Sequence, residues 1–396
     1  MKVALVTVWG EKEGNSEYSV ALKREFDRNC TSGGGGECQV LAIPSVPFVC
    51  PQPGARMECY SMLRQLSYSL KNFDIVDIQC VFGTFGYKMS VSLSRITRIV
   101  KSCRPGSCVL DAHDMLSQVL PAKLGLGKIF VFIRNRNVRY FHKLLRTLKK
   151  VDGRLIVHSQ REKMLLSNLF PKLKITALPL CWRRQDDCIA MKAQFSRANY
   201  MKKNGIRLPD SVKVISVVGH FADWKDIGSV VKAMAYLPEN YHLFIYGGQH
   251  PFAFTTFKRG HPLVEELNRK IVWLKLNSRV HFMGFVEDSN EIEEAYMFSD
   301  YVVVPNVECG EIASGTLSAS LEFCKNVFVN RNIMSSELKK FAGRAFFTYD
   351  MGNYLELAAK IQALPHKEEV YANRLAYFEK YNVALNVENF MKGGNE

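Results

Sequence analysis

The sequence predicts an α/β protein made of two doubly wound, Rossmann-like domains, and three observations lead there. Its 396 residues exceed the roughly 250–300 at which a single core usually stops growing. Short apolar runs rich in β-branched residues recur along the chain, and helix-like stretches separate them. The alternation runs through once, meets a polar and basic interval, and runs through again. Strands alternating with helices imply parallel sheets joined by right-handed crossovers.

Taken in order, the strands of the first half are expected at Val3–Val8, Gln39–Ile43, Asp74–Gln79, Cys108–Ala112, Arg154–His158 and Ile175–Leu178. Those of the second half are expected at Val212–Val218, His242–Tyr246, Arg279–Met283, Tyr301–Val304, Val327–Asn330 and Ala345–Thr348. Between the halves, Trp182–Pro209 is punctuated by Asn204-Gly205 and Leu208-Pro209. These signals predict a first domain over residues 1–182, a linker over 183–210 and a second domain over 211–367. The closing stretch 368–396 reads as a helix, with Tyr371, Tyr377, Phe378 and Tyr381, that packs back on the first domain. Gly33–Gly36 reads as a flexible surface turn.

An apolar share of 47% and a charged share of 23% exclude a disordered or collagen-like chain. No run approaches the roughly 18 uninterrupted apolar residues of a membrane span. The opening KVALVTV reaches Glu11 without a small-residue cleavage site, so it reads as a first strand and not as a signal peptide. A soluble cytoplasmic protein is expected, and its 11 cysteines are then expected to be structural thiols. No C-x-x-C pair occurs, and Cys103 and Cys108 have no second pair or histidine cluster to complete a zinc site, so no metal is expected.

The net charge is +15, and residues 1–182 hold 27 lysines and arginines against 13 aspartates and glutamates. Such a field favours an anionic partner: a membrane surface, a lipid diphosphate, an acidic glycan or nucleic acid. Nucleic acid is not expected, because no recognition motif accompanies the charge. The basic stretch Lys123–Arg154, with Phe130, Phe132 and then Arg134, Arg136, Arg139 and Lys143, leaves two readings open. It is a solvated helix face, or it makes a peripheral contact with anionic membrane.

Residues 300–330 read DYVVVPNVECGEIASGTLSASLEFCKNVFVN, a strand, an acidic and glycine-containing turn, a helix and another strand. A helix N-terminus beyond a strand end offers free N–H groups and a positive dipole end, which suits a phosphate-bearing substrate. Gly14-Asn15-Ser16 opens a helix after the first strand in the same way, but no G-x-G-x-x-G nicotinamide fingerprint occurs.

Four segments, VVGHFADWKDIGSVVKAM, DIVDIQCVFGTFGY, VLDAHDM and RLIVHSQREKMLL, together resemble the nucleotide-sugar glycosyltransferases of GT-B architecture, and in particular the retaining enzymes of family 4, which include virus-encoded members. The resemblance spans most of the chain and implies two domains facing across a cleft. It puts His220, after Gly219, at the place of the family's arginine and Lys225 at that of its lysine, both on the donor diphosphate. Aligning Cys324–Val327 with the family's glycine-x-proline-valine puts Glu311 at the first glutamate of its E-x7-E region, against the donor sugar, and Ala319 at the second. The carboxylate that usually holds the ribose is then missing, and Glu322, three residues on, points about 60° away. Ser314-Gly315-Thr316-Leu317 fits a Ser-Gly-x-Leu variant of the family and adds backbone donors to the phosphates. His113 stands where the family's histidine contacts the sugar, Gly14 and Asn15 stand in the loop between donor and acceptor, and Gly83 and Gly86 shape an acceptor loop or meet a packing need.

The resemblance thus implies metal-independent, retaining transfer of a hexose to a glycan or glycoconjugate hydroxyl, with no cofactor beyond the donor substrate. Mannose on guanosine diphosphate (GDP-mannose) is the donor expected first and glucose on uridine diphosphate (UDP-glucose) next. A homodimer is left open. Two rival readings stay open as well, a nucleotide-sugar epimerase of the same fold and a catalytically inactive GT-B binding module.

Overall fold

The computed structural model describes residues 1–10, 14–32, 36–44, 48–49, 53–113, 135–222, 224–248, 262–286, 288–307 and 312–391. They form two compact units, Met1–Leu180 with Val383–Glu396, and Cys181–Asn382.

The first unit holds a six-stranded parallel sheet: β1 (Lys2–Thr7), β2 (Glu37–Ala42), β3 (Ile75–Cys80), β4 (Cys108–Ala112), β5 (Arg154–Val157) and β6 (Lys174–Ala177). Their order is β2-β1-β3-β4-β5-β6. The sheet is covered on both faces, which is why its strands read as unbroken apolar runs: Val3, Ala4, Leu5 and Val6 are all fully buried. Each buried valine or leucine contributes roughly 1.5–3 kcal/mol. The helix Val383–Met391 completes this unit by packing on Gly14–Ser32, where the Phe390 and Phe26 rings lie 6.3 Å apart. Buried Arg154 on β5 donates to the carbonyls of Asn389 and Phe390 at 2.9 and 2.5 Å, and Asn386 donates to that of Pro179 at 2.8 Å.

The second unit repeats the plan with β7 (Lys213–Val218), β8 (Tyr241–Tyr246), β9 (Val280–Gly284), β10 (Tyr301–Val304), β11 (Asn326–Asn330) and β12 (Phe347–Tyr349) in the order β12-β11-β10-β7-β8-β9. The direction of winding reverses between β7 and β10, which are neighbours in the sheet. Such a reversal opens a crevice at the carboxyl ends of the two strands, where open α/β sheets bind ligands. Each of the twelve strands lies within two residues of its sequence-based position.

Residues 183–210 differ from the linker expectation. They contain the helices Gln185–Gln194 and Arg197–Lys203 and belong to the second unit. Cys188 and Tyr200 are buried against that unit, and Arg197 pairs with Asp300 at 3.1 Å. The closing stretch also divides: Lys367–Lys380 stays with the second unit, held by buried Arg374, whose guanidinium donates to the carbonyls of Cys324, Lys325 and Ala345.

Candidate functional site

The carboxyl ends of β7 and β10 are stitched together by backbone hydrogen bonds. Asp226 N–H donates to Pro305 O and Val307 N–H to Trp224 O, each at 2.8 Å, and Lys225 lies between them in an antiparallel bridge with Asn306. The turn after β7 is therefore fixed to the exit of β10, and the Lys225 side chain folds back over Gly219, its Nζ 3.3 Å from Val218 O. Gly219 has φ +122°, and a β-carbon there would collide with Nζ of Lys225 and lie 3.4 Å from Oγ1 of Thr316. The backbone angle is what favours glycine here, since the flexible lysine end could move aside. The same observation shows that Lys225 and Thr316 converge on one point above the switch between β7 and β10.

Thr316 belongs to the helix Gly315–Phe323, whose N-cap is Ser314. The Ser314 hydroxyl accepts from Leu317 N–H at 3.3 Å, while the Gly315 and Thr316 N–H groups, at the first turn, have no acceptor inside the helix. A compact cation and a helix start thus point at the same place, an arrangement that suits a diphosphate. The Trp182 indole walls the helix start, since a β-carbon on Gly315 would lie 3.0 Å from its Cζ2.

Glu322 fixes that wall. Its buried carboxylate accepts from Trp182 N–H at 2.8 Å, and next to it Arg183 forms a mostly buried pair with Glu293 at 2.7 Å. Glu322 is thus turned onto the chain entering this unit, whereas Ala319 lies on a partly exposed stripe with Gly315 and Thr316. Burial pushes the Glu322 carboxyl up to about 8, against the lowering effect of hydrogen bonds from the Trp182 and Arg183 amides. Because the folded value lies above the ordinary 4.5, the folded state binds the proton more tightly. Its stabilising contribution is complete below about 4.5 and fades as pH rises through about 8. Denaturant titrations should show that Glu322→Gln flattens the fall in stability across this window and gives the firmer fold above it; parallel profiles for the two proteins would contradict the assignment.

In the first unit, the ends of β3, β4 and β5 meet in a polar cluster. Strand neighbours Gln79 and Asp111 are in register, and the Gln79 amide donates to Asp111 at 3.2 Å and to Asp77 at 2.9 Å. Its carbonyl then accepts from His113 Nε2 at 2.7 Å. His158 donates through Nδ1 to Leu178 O at 2.8 Å and faces Asp111 with Nε2 at 3.0 Å. Burial opposes charge on both partners of this last pair, but their mutual attraction and the hydrogen bonds to them outweigh it, holding Asp111 below and His158 above their ordinary values. Burial, beside the Asp111 charge, instead pushes the Asp77 carboxyl well above its ordinary value.

His113 differs from its neighbour. Burial pushes it down to about 4, with the Asp111 charge opposing and that of His158 assisting. It is a neutral ring with its proton on Nε2, leaving Nδ1 as a hydrogen-bond acceptor. Its plane is set by His158 at 4.8 Å and by the Tyr18 edge at 5.3 Å. Asp111, His113 and His158 also present donor atoms within 4.8 Å of one another, a spacing a metal ion can use, but the hydrogen bonds above already account for their arrangement.

Of the residues expected from sequence, the structure brings Gly219, Lys225, Ser314, Gly315 and Thr316 together. The His220 ring, one residue beyond Gly219, stacks on Phe285 at 5.3 Å and 22°. Gly14 and Asn15 begin the first helix of the first unit. Gly86 answers a packing need, because a β-carbon there would lie 3.0 Å from Val91, whereas one on Gly83 meets nothing. Glu311 lies outside the described residues. Sequence reasoning missed Gln79, His158, Asp77, Tyr18, Trp182 and Asn306. The signal for Asp77 and Gln79 was present: two polar residues at alternate positions of IVDIQC, a strand buried throughout.

Two doubly wound units, each on a six-stranded parallel sheet, form the GT-B fold of glycosyltransferases. Residues 198–380, all within the second unit, match the family of glycosyl transferases group 1. No curated protein sequence matches the chain. Solved structures share the fold along nearly the whole length. Anabaena Alr3699/HepE in complex with UDP has 13% identity, a TM-score of 0.64 and coverage of 99% of both chains, and HepE is also solved with UDP-glucose. A glycosyltransferase from Rickettsia africae ESF-5 has 15% identity and a TM-score of 0.64 over 99% of this chain and 97% of that one. An alpha,alpha-trehalose-phosphate synthase (UDP-forming) from Burkholderia vietnamiensis has 9% identity and a TM-score of 0.65 over 99% and 98%.

Proposed function

We propose that this chain transfers a hexose from a nucleoside diphosphate sugar to a hydroxyl of a glycan or glycoconjugate, with retention at the anomeric carbon. The observation that carries the reading is the convergence of Lys225 Nζ and Thr316 over Gly219 at the start of the Gly315–Phe323 helix. Negative charge grows on the departing diphosphate as its bond to the sugar lengthens, and a fixed cation with fixed amides stabilises it without reorganising. In the roles the resemblance implies, neutral His113 accepts through Nδ1 a hydrogen bond from a hydroxyl of the transferring sugar, and Glu311 takes other donor hydroxyls.

In the retaining step the bond between the anomeric carbon and the phosphate oxygen breaks. The acceptor oxygen bonds to that carbon on the same face, and its proton passes to the departing phosphate oxygen. No protein nucleophile is needed, and Lys225 with the helix amides supplies the positive charge that a divalent ion would otherwise provide. The UDP and UDP-glucose complexes of HepE put UDP-glucose ahead of GDP-mannose as the donor to try first. Calorimetric titration with both, in chelator and with added Mg²⁺, tests the reading. One of them should bind equally well in the two buffers; binding by neither, or only with Mg²⁺, would contradict it.

A further inference from the structure

We infer that the first unit carries a docking face for anionic lipid, formed by the helices Pro53–Ser69, Met89–Ser102 and Arg136–Lys150. Met89–Ser102 packs against both of the others, so the three form one layer. The Arg136–Lys150 helix buries Val138, Phe141, Leu144, Leu145 and Leu148 and turns Arg136, Arg139, Lys143, Arg146, Lys149 and Lys150 outward, all exposed. It contains no acidic residue, and neither does Met89–Ser102, which adds Arg98 and Lys101, while its Arg95 turns inward to the carbonyls of Phe48 and Phe85. Across the whole layer Glu58 is the single carboxylate. A cationic stripe of 15 residues runs about 22 Å along its helix, long enough to meet several headgroups at once.

Charge alone would suit any polyanion, and the apolar side chains decide for lipid. On Pro53–Ser69, Met57, Tyr60 and Tyr68 are 78%, 59% and 62% exposed. Arg98 lies 4.7 Å over the Tyr60 ring and Arg64 6.0 Å over that of Tyr68, so cations and aromatics share one surface. A soluble polyanion gives exposed methionine and tyrosine no role, whereas a bilayer interface takes them at the boundary between headgroups and acyl chains. Among the described residues no helix is long and apolar enough to cross a membrane, so the contact is peripheral.

The test is flotation of the full chain with vesicles of phosphatidylglycerol and phosphatidylcholine, or of phosphatidylcholine alone, at physiological ionic strength. Binding is expected only to the anionic vesicles. The combined Arg139→Gln, Lys143→Gln, Arg146→Gln and Lys150→Gln variant should bind them about 10²- to 10³-fold more weakly. The combined Met57→Ser, Tyr60→Ser and Tyr68→Ser variant should bind severalfold more weakly, with an unchanged salt dependence. Melting curves matching the parent establish that both variants fold. The inference is overturned if the chain leaves anionic vesicles afloat without it, if it binds phosphatidylcholine equally, or if either folded variant binds like the parent. It is overturned too if heparin, a polyanion without acyl chains, binds the parent more tightly than the vesicles do. None of these outcomes depends on the transferase reading.

Discussion

Replacing Lys225 with methionine should lower the rate of sugar transfer by about 10²- to 10³-fold, the usual cost of removing one fixed donor from a developing anion. The fold should survive, because the bonds that fix this turn run between the backbones of Trp224, Asp226, Pro305 and Val307. Lys225→Arg should fail as well. A planar guanidinium does not reproduce the compact ammonium that lies over Gly219 beside Thr316. Steady-state kinetics with a melting curve as control checks both variants, and transfer at the parental rate by either would remove Lys225 from the diphosphate site.

His113→Phe should cost about 10²-fold in rate, since it deletes a hydrogen-bond acceptor while keeping a ring against His158 and Tyr18. The pH dependence separates this role from proton transfer. With its value held at about 4, His113 stays neutral throughout the neutral range, so its ionisation should leave no inflection near the ordinary 6.5. Below the ordinary value the unfolded chain takes up the proton first, so His113 contributes stability at neutral pH that falls away from about 6.5 towards 4. Nitrogen NMR of the ring should report the Nε2–H tautomer. An inflection near 6.5 in the parent that vanishes in the variant would make His113 a titrating acid or base instead.

The strands were legible because a parallel sheet covered on both faces demands continuous apolar runs, as Val302, Val303 and Val304 show. The helix start at Ser314–Thr316 was legible because a strand, a turn and a cap mark it locally, whereas Lys225 was singled out by the resemblance and not by its own turn. The Gln79–Asp111–His158 cluster was not, because its members are brought together by the order of β3, β4 and β5, which no local pattern specifies. Residues 183–210 misled because their helices bury little beyond Cys188 and Tyr200 and so keep the composition of a linker. Helical arithmetic placed Glu322 off the Ala319 direction, and its bond to the Trp182 amide gives that displacement a purpose.

The central claim is chemical transfer at the Lys225 site, and product analysis tests it most directly. The chain is incubated in chelator with the nucleotide sugar that binds, with and without a panel of glycan acceptors, and the products are resolved by NMR. The account predicts free nucleoside diphosphate in step with a new glycosidic bond of the donor's own anomeric configuration, only when acceptor is present. An epimerised nucleotide sugar formed without acceptor, or a bound donor that is never consumed across the panel, would contradict it.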